Sequence, residues 1–135
     1  MHVRTCLSCT GARFSPQVIE ARIGFKWTVA HEPGAMGGMG RYLGRPIPFG
    51  SAELISSYDS EMLAVPDQEF FRKAEAIIRV GKEMGIEECI LRMDVEFQGQ
   101  CNLELGPHFV SEVQRLGVPL ALTCYESREE DRSGA

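Results

Sequence analysis

The sequence predicts an α+β domain with a mostly antiparallel mixed sheet and helices packed on one face, in a ferredoxin-like variant. Two observations predict this class. Three segments carry the end signals or the apolar stripe of a helix, and the segments between them alternate apolar and polar residues. The 135 residues fit one domain, which we place at residues 1–126, with a disordered charged tail at 127–135.

The three predicted helices share a proline one position inside the helix and a closing glycine that suits a left-handed cap. Ser15 is a good N-cap for the first of them. The middle segment has the clearest stripe, with Phe70, Phe71, Ala74 and Ile77 on one face and charges on the other, so it is predicted to lie on a core. The predicted helices cover residues 15–24, 65–85 and 106–117.

The predicted strands alternate with these helices. The segment HVRTCLSC at the start reads as a strand, and GSAELISSY at 50–58 is a weaker candidate. Residues 88–98 alternate, with Arg92, Asp94 and Glu96 sharing one polar face. That face is predicted to be an open sheet surface with cross-strand charge pairs, and therefore a natural dimer surface.

The C-terminal third adds a hairpin and a final strand to the prediction. After the turn QGQ, residues 101–105 alternate again, which predicts that they pair with the preceding strand and bring Glu104 onto its polar face. Residues 118–125, VPLALTCY, are apolar on both faces. Such a pattern is typical of a central strand.

Composition narrows the class of function. A formal net charge of −5 argues against nucleic-acid binding, because neutralising phosphates requires a basic face. No apolar run approaches the ~18 residues that cross a bilayer, so no membrane association is expected. Five cysteines, an odd number at irregular spacing, predict free thiols and a cytoplasmic location.

The pair Cys6 and Cys9 spells C-x-x-C, a spacing that metal and redox sites use. Residues three apart on a strand point to opposite faces, so the two thiols are not expected to grip one metal. A zinc site also needs four ligands, and a redox motif needs a helix N-terminus. Buried structural cysteines are therefore predicted, with no metal and no cofactor.

Both ends of the chain resemble a known family. HVRTCLSCTGARFSPQVIEARIGF resembles the start of a small bacterial family in which a first strand leads through Gly and Phe-x-Pro into a short helix. CNLELGPHFVSEVQRLGVPLALTCYE resembles that family's closing strand–helix–strand. The family is a domain of unknown function, so the resemblance implies an α+β fold and no catalytic residues. The long glycine-rich insertion departs from the family's pattern.

The glycine-rich stretch GAMGGMGRYLGRP, residues 34–46, invites a nucleotide-binding interpretation. A dinucleotide fingerprint requires a strand before the glycines and a helix after them. Pro46 and Pro48 prevent that helix, and no Gly-Lys-Ser/Thr of a phosphate-binding loop follows. Glycine-rich backbone can still present N–H groups to an anion, and Arg41 and Arg45 would add bidentate contacts.

Long connections are uncommon in compact domains and are often functional. We therefore predict a non-catalytic binding or protein-interaction module, working as a homo-oligomer, with residues 31–50 as the contact loop for a protein partner or an anionic small molecule. Its predicted contact residues are Arg41, Tyr42, Arg45, His31, Glu32 and Trp27.

The alternative is a small enzyme that acts on an anionic small molecule, with this glycine-rich loop as a lid. His31 would be its general base and the two arginines its substrate clamp. The enzyme requires a concave pocket where these groups converge, whereas a binding module does not.

Overall fold

The computed structural model describes residues 1–127 and contains a five-stranded sheet and three α-helices. The strands are β1 (His2–Gly11), β2 (Val29–His31), β3 (Gly50–Asp59), β4 (Glu88–Phe97) and β5 (Leu120–Glu126). The helices are α1 (Pro16–Ile23), α2 (Gln68–Gly81) and α3 (Pro107–Leu116).

The sheet has the order β2-β3-β1-β4-β5. The pairs β2–β3, β3–β1 and β1–β4 are antiparallel, and the pair β4–β5 is parallel. The two crossovers through α1 and α2 each skip one strand, which is the split β-α-β arrangement of a ferredoxin-like fold. The helix α3 then adds β5 beside β4. The predicted α+β class and its ferredoxin-like variant are confirmed.

One core lies between the sheet and the three helices. The sheet contributes Val3, Leu7, Leu91, Met93 and Val95, all fully buried. The helices and their connections contribute a second buried set, which comprises Phe14, Ile19, Trp27, Phe70, Phe71, Ala74, Ile77, Phe109 and Leu116. The opposite face of the sheet carries Arg4, Arg92 and Asp94, with Arg4 directly across from Asp94. The predicted polar face is therefore present, but no ion pair among the described residues joins Arg4 to Asp94.

The helix ends follow the local signals in α1 and α3. Ser15 Oγ accepts the N–H of Val18, and Gly24 closes α1 in the left-handed conformation, as Gly117 does for α3. The prediction for the middle helix was wrong at its start, because Pro66 precedes the N-cap and is not inside the helix. Asp67 is the N-cap. The prediction was also wrong at the end of the helix, because α2 ends at Gly81, four residues before Gly85, with Lys82 as its C-cap.

Asp67 makes an electrostatic contribution to the stability of the fold that can be tested. Its Oδ1 accepts the N–H groups of Glu69 and Phe70, and Ser56 Oγ donates to its Oδ2 at 2.6 Å. The hydrogen bond from Ser56, together with those backbone donors, lowers the pKa of Asp67 below its ordinary 3.8. A group with a depressed folded pKa stabilises the fold above its unfolded pKa and loses that contribution as the pH falls through the folded value.

We expect Asp67→Ala to lower the free energy of unfolding by about 1 kcal/mol at neutral pH. The deficit should shrink as the pH falls below the ordinary 3.8 and through the lower pKa of the folded carboxylate. Urea unfolding between pH 7 and pH 3 measures it. Asp67→Asn is the control, since an amide oxygen still caps the helix without charge. A deficit in Asp67→Ala that is independent of pH would contradict the electrostatic contribution.

Two predictions for the C-terminal third were wrong. Residues 101–105 do not pair with β4, and their one bridge within the described chain joins Glu104 to Leu63. The predicted central strand is β5, which lies at the edge of the sheet, and every one of its residues is exposed.

The tail prediction began one residue early, because Ser127 is buried and donates its N–H to Phe97 O at 2.8 Å. The rest of the predicted tail, 128–135, lies outside the described residues.

Candidate functional site

The glycine-rich stretch is the connection between β2 and β3, and it folds back on itself. Gly34 donates to Ile47 O at 2.6 Å, Ile47 donates to Ala35 O at 2.8 Å, and Gly37 donates to Arg45 O at 2.9 Å. A 3-10 turn at Gly40–Tyr42 forms the tip. The connection is thus an extension of the β2–β3 hairpin beyond the sheet, held by its own backbone hydrogen bonds.

Local geometry explains two of its glycines. A Cβ atom on Gly37 would lie 2.1 Å from Tyr42 O, so any side chain would push the two halves of the extension apart. Gly44 has a φ of +69°, which favours glycine. These glycines therefore serve the fold of the extension, and a phosphate ligand is not needed to account for them.

The tip presents apolar side chains beside positive charge. Met36, Met39 and Leu43 are 63%, 84% and 65% exposed. Arg41 and Arg45 are exposed on the same segment, and no carboxylate of the described residues forms an ion pair with either guanidinium. We call these five residues the tip patch. These three exposed large apolar side chains belong to one short extension, and apolar side chains grouped on a surface can mark an interaction site.

Tyr42 packs against neighbouring side chains of the extension. Its ring is half-buried and packs edge-on against Phe49, with 5.9 Å between the ring centroids. The Cζ atom of Arg41 lies 5.7 Å from the Tyr42 ring centroid, a cation–π contact. Tyr42 therefore orients Arg41, and its predicted role in stacking on a ligand is limited to the part of the ring that these contacts leave open.

The other three predicted contact residues lie away from the tip patch. Trp27 is 4% exposed, and its Nε1 donates to Pro16 O at 3.0 Å, so it is a core residue without free surface for a ligand. Glu32 Oε1 accepts the N–H of Gln17 at 2.8 Å, where a carboxylate stabilises the start of α1. His31 is exposed on β2, across from Ser51. The six residues do not converge.

Clefts are present on parts of the described chain other than the 31–50 loop. Five clefts of about 100 to 460 Å³ are lined by other parts of the described chain, and none includes a residue of the 31–50 loop. Within residues 1–127, no three histidine, cysteine or acidic side chains come together as metal ligands would. No described helix has the length and apolar character required to span a bilayer.

The cysteines occupy the positions expected for C-x-x-C on a strand. Cys6 and Cys9 are both buried, Cys9 in the core and Cys6 beneath the open face, between Ile55 and Arg92. Sequence reasoning missed two other features. One is the contact between Cys9 and Cys89, which lie across from each other on β1 and β4. The other is the exposed edge of β5, whose apolar pattern was the available signal.

Comparison with known proteins adds no relative. The chain matches no family model, no curated protein and no solved structure at a significant level. Its resemblance to a bacterial domain of unknown function stays a prediction, and the site must be interpreted from its own geometry.

Proposed function

We propose that this domain is a non-catalytic protein-interaction module and that the tip patch is its contact surface. The observation that carries the proposal is the exposure of Met36, Met39 and Leu43 on a segment fixed by backbone hydrogen bonds. Methionine and arginine are enriched at protein interfaces, and an ordered loop loses less conformational freedom on binding. The enzyme alternative has less support, because none of the five clefts described above is lined by His31, Arg41 or Arg45.

Charge indicates the kind of partner. The chain has a net charge of −5, yet the tip patch contributes two arginines and no acidic residue. Guanidinium groups bind carboxylates in bidentate pairs. The partner we propose is therefore a protein surface with an apolar centre and carboxylates around it. The five cysteines are thiols in the structure, which supports our proposal of a reducing, cytoplasmic setting.

Site-specific photocrosslinking tests the contact surface. A photoreactive amino acid at position 39, in cells that natively make the protein, should give an adduct of one discrete mass. Position 18, where Val18 is exposed on α1, is the matched control and should give none. Arg41→Ala/Arg45→Ala should raise the dissociation constant about 30-fold and therefore lower the adduct yield at position 39. Equal adducts at both positions, or none at position 39, would contradict the proposal.

A second observation supports self-association through β5. Natural edge strands often carry charged residues, prolines or bulges that prevent pairing with another chain. The stretch Leu120–Tyr125 of β5 has no charged residue and no proline. We propose that two copies pair antiparallel along this edge, with Thr123 at the two-fold axis. Leu122 would then face the second copy's Cys124, and Glu126 would face its Leu120. No like charges would face each other, so the strand is complementary to itself.

A further inference from the structure

We propose that Cys9 and Cys89 are a reversible redox pair, which a peroxide converts to a disulfide that joins β1 to β4. This inference is independent of the proposed contact surface. It rests on the position of the two thiols, which face each other in the register of the sheet with 3.2 Å between the sulfur atoms.

The backbone already has the spacing that a disulfide requires. Directly opposite residues of antiparallel strands have Cα atoms about 4.5 to 5.5 Å apart. Disulfides span Cα separations of about 4.4 to 6.8 Å. Bringing the two sulfur atoms from 3.2 Å to a bond length of about 2.05 Å therefore needs small side-chain rotations and no strand movement.

The two thiols differ in access and acidity. Cys9 is fully buried in the core, whereas Cys89 is half-buried and lines a cleft of about 100 Å³ beside Lys82 and Val118. A hydrogen bond from Cys9 to the ionised Cys89 sulfur lowers the pKa of the Cys89 thiol, and the same bond, together with burial, raises the pKa of Cys9. Cys89 is thus the thiol that ionises first and that an oxidant of the size of hydrogen peroxide reaches first.

The chemistry balances with hydrogen peroxide as the two-electron oxidant. The Cys89 thiolate attacks one peroxide oxygen, the O–O bond breaks, and hydroxide leaves, so that Cys89 becomes a sulfenic acid. Cys9 then loses its proton, and its sulfur attacks the Cys89 sulfur and displaces hydroxide. With the two thiol protons counted, two thiols and one peroxide give one disulfide and two waters.

The remaining cysteines provide internal controls. Cys6 points to the opposite face of β1, and burial raises its pKa to about 11, which makes it a poor nucleophile. Desolvation and the nearby Cys101 thiol raise the pKa of the Cys124 thiol, and Cys101 and Cys124 form a separate, more exposed pair. Any product must therefore be located by peptide and not only by mass.

The experiment treats the folded wild-type protein with limiting hydrogen peroxide, blocks free thiols by alkylation and maps tryptic peptides. We expect a mass about 2 Da lower and a link between residues 5–13 and 83–92, lost on reduction with dithiothreitol. Because residues 5–13 contain both Cys6 and Cys9, Cys6→Ser should keep this link and Cys9→Ser should abolish it. In Cys9→Ser, a sulfenic-acid probe should label Cys89.

A Cys101→Ser/Cys124→Ser variant should form the same link and separates it from the second cysteine pair. If that variant fails to fold, the peptide map of the wild-type protein still distinguishes the two pairs. The inference is overturned if Cys9 and Cys89 remain thiols after oxidation of the folded protein, if Cys89 links to another cysteine, or if the link forms only in denaturant.

Discussion

We expect Phe14→Ala to lower the free energy of unfolding by about 3 to 5 kcal/mol, the range for removing a fully buried aromatic ring. Phe14 has no exposed surface and packs edge-on against Trp27, with 5.9 Å between the ring centroids. Its backbone is enclosed as well, because a Cβ atom on Gly50 would lie 1.9 Å from Phe14 O. With the backbone fixed in this way, the structure cannot collapse into the cavity that alanine leaves.

Chemical denaturation followed by Trp27 fluorescence and by circular dichroism measures this loss, at one protein concentration so that self-association does not alter the comparison. Phe49→Ala is the matched control. The Phe49 ring is half-buried against Tyr42 and lies outside the main core, so the same substitution should cost much less. A loss below about 1 kcal/mol for Phe14→Ala would show that Phe14 does not anchor the core as the structure indicates.

The helix that follows Phe14 shows which parts of the fold the sequence predicts well. The step from β1 into α1 is encoded locally, by Ser15 as a cap, Pro16 in the first turn and Gly24 at the end. Signals of this kind need no knowledge of distant residues. For the same reason the glycine and proline around α3, and the alternation in β4, predict those elements correctly.

The failed hairpin has a tertiary cause. Alternation in residues 101–105 indicates an extended chain with two different faces, but it does not specify a partner. Both sides of β4 are already occupied, by β1 over Glu88–Glu96 and by β5 over Leu91–Phe97. No side of β4 is left for the segment, which therefore bridges to Leu63.

For the candidate site too, the sequence predicts the local features but not those that depend on tertiary contacts. Glycine content and the charge of Arg41 and Arg45 predicted an unusual exposed segment, and the exposure of the tip patch agrees with that. The roles of Trp27 and Glu32 depend on contacts with Pro16 and Gln17 across the start of α1, and neither contact has a local pattern. The pairing of Cys9 with Cys89 depends on the register of two strands that are 80 residues apart in sequence.

The misplaced β5 leads to the second large effect. A strand that is apolar on both faces is typical of a sheet interior, and here it lies at an edge. A second copy paired along that edge would place β5 in the interior of a sheet that continues across the dimer. The pattern and the position then agree, which is the reason for expecting self-association at this strand and not at the open charged face.

We therefore expect the wild-type protein to have twice the 15.0 kDa chain mass in solution and Leu122→Lys to be a monomer. Leu122 is 52% exposed beside Met93, so lysine at this edge position should be tolerated in the single chain. In the pair, two lysines would lie near the two-fold axis, each facing the other copy's Cys124, and would raise the dissociation constant by about 30-fold or more.

Light scattering coupled to size-exclusion chromatography across a concentration series measures the mass. Leu43→Lys is the matched control, because Leu43 is at least as exposed but belongs to the tip patch, so this variant should remain a dimer. The reverse pattern would assign self-association to the tip patch. A monomeric wild-type protein would exclude pairing through β5, and the apolar edge would then need a different strand as its partner.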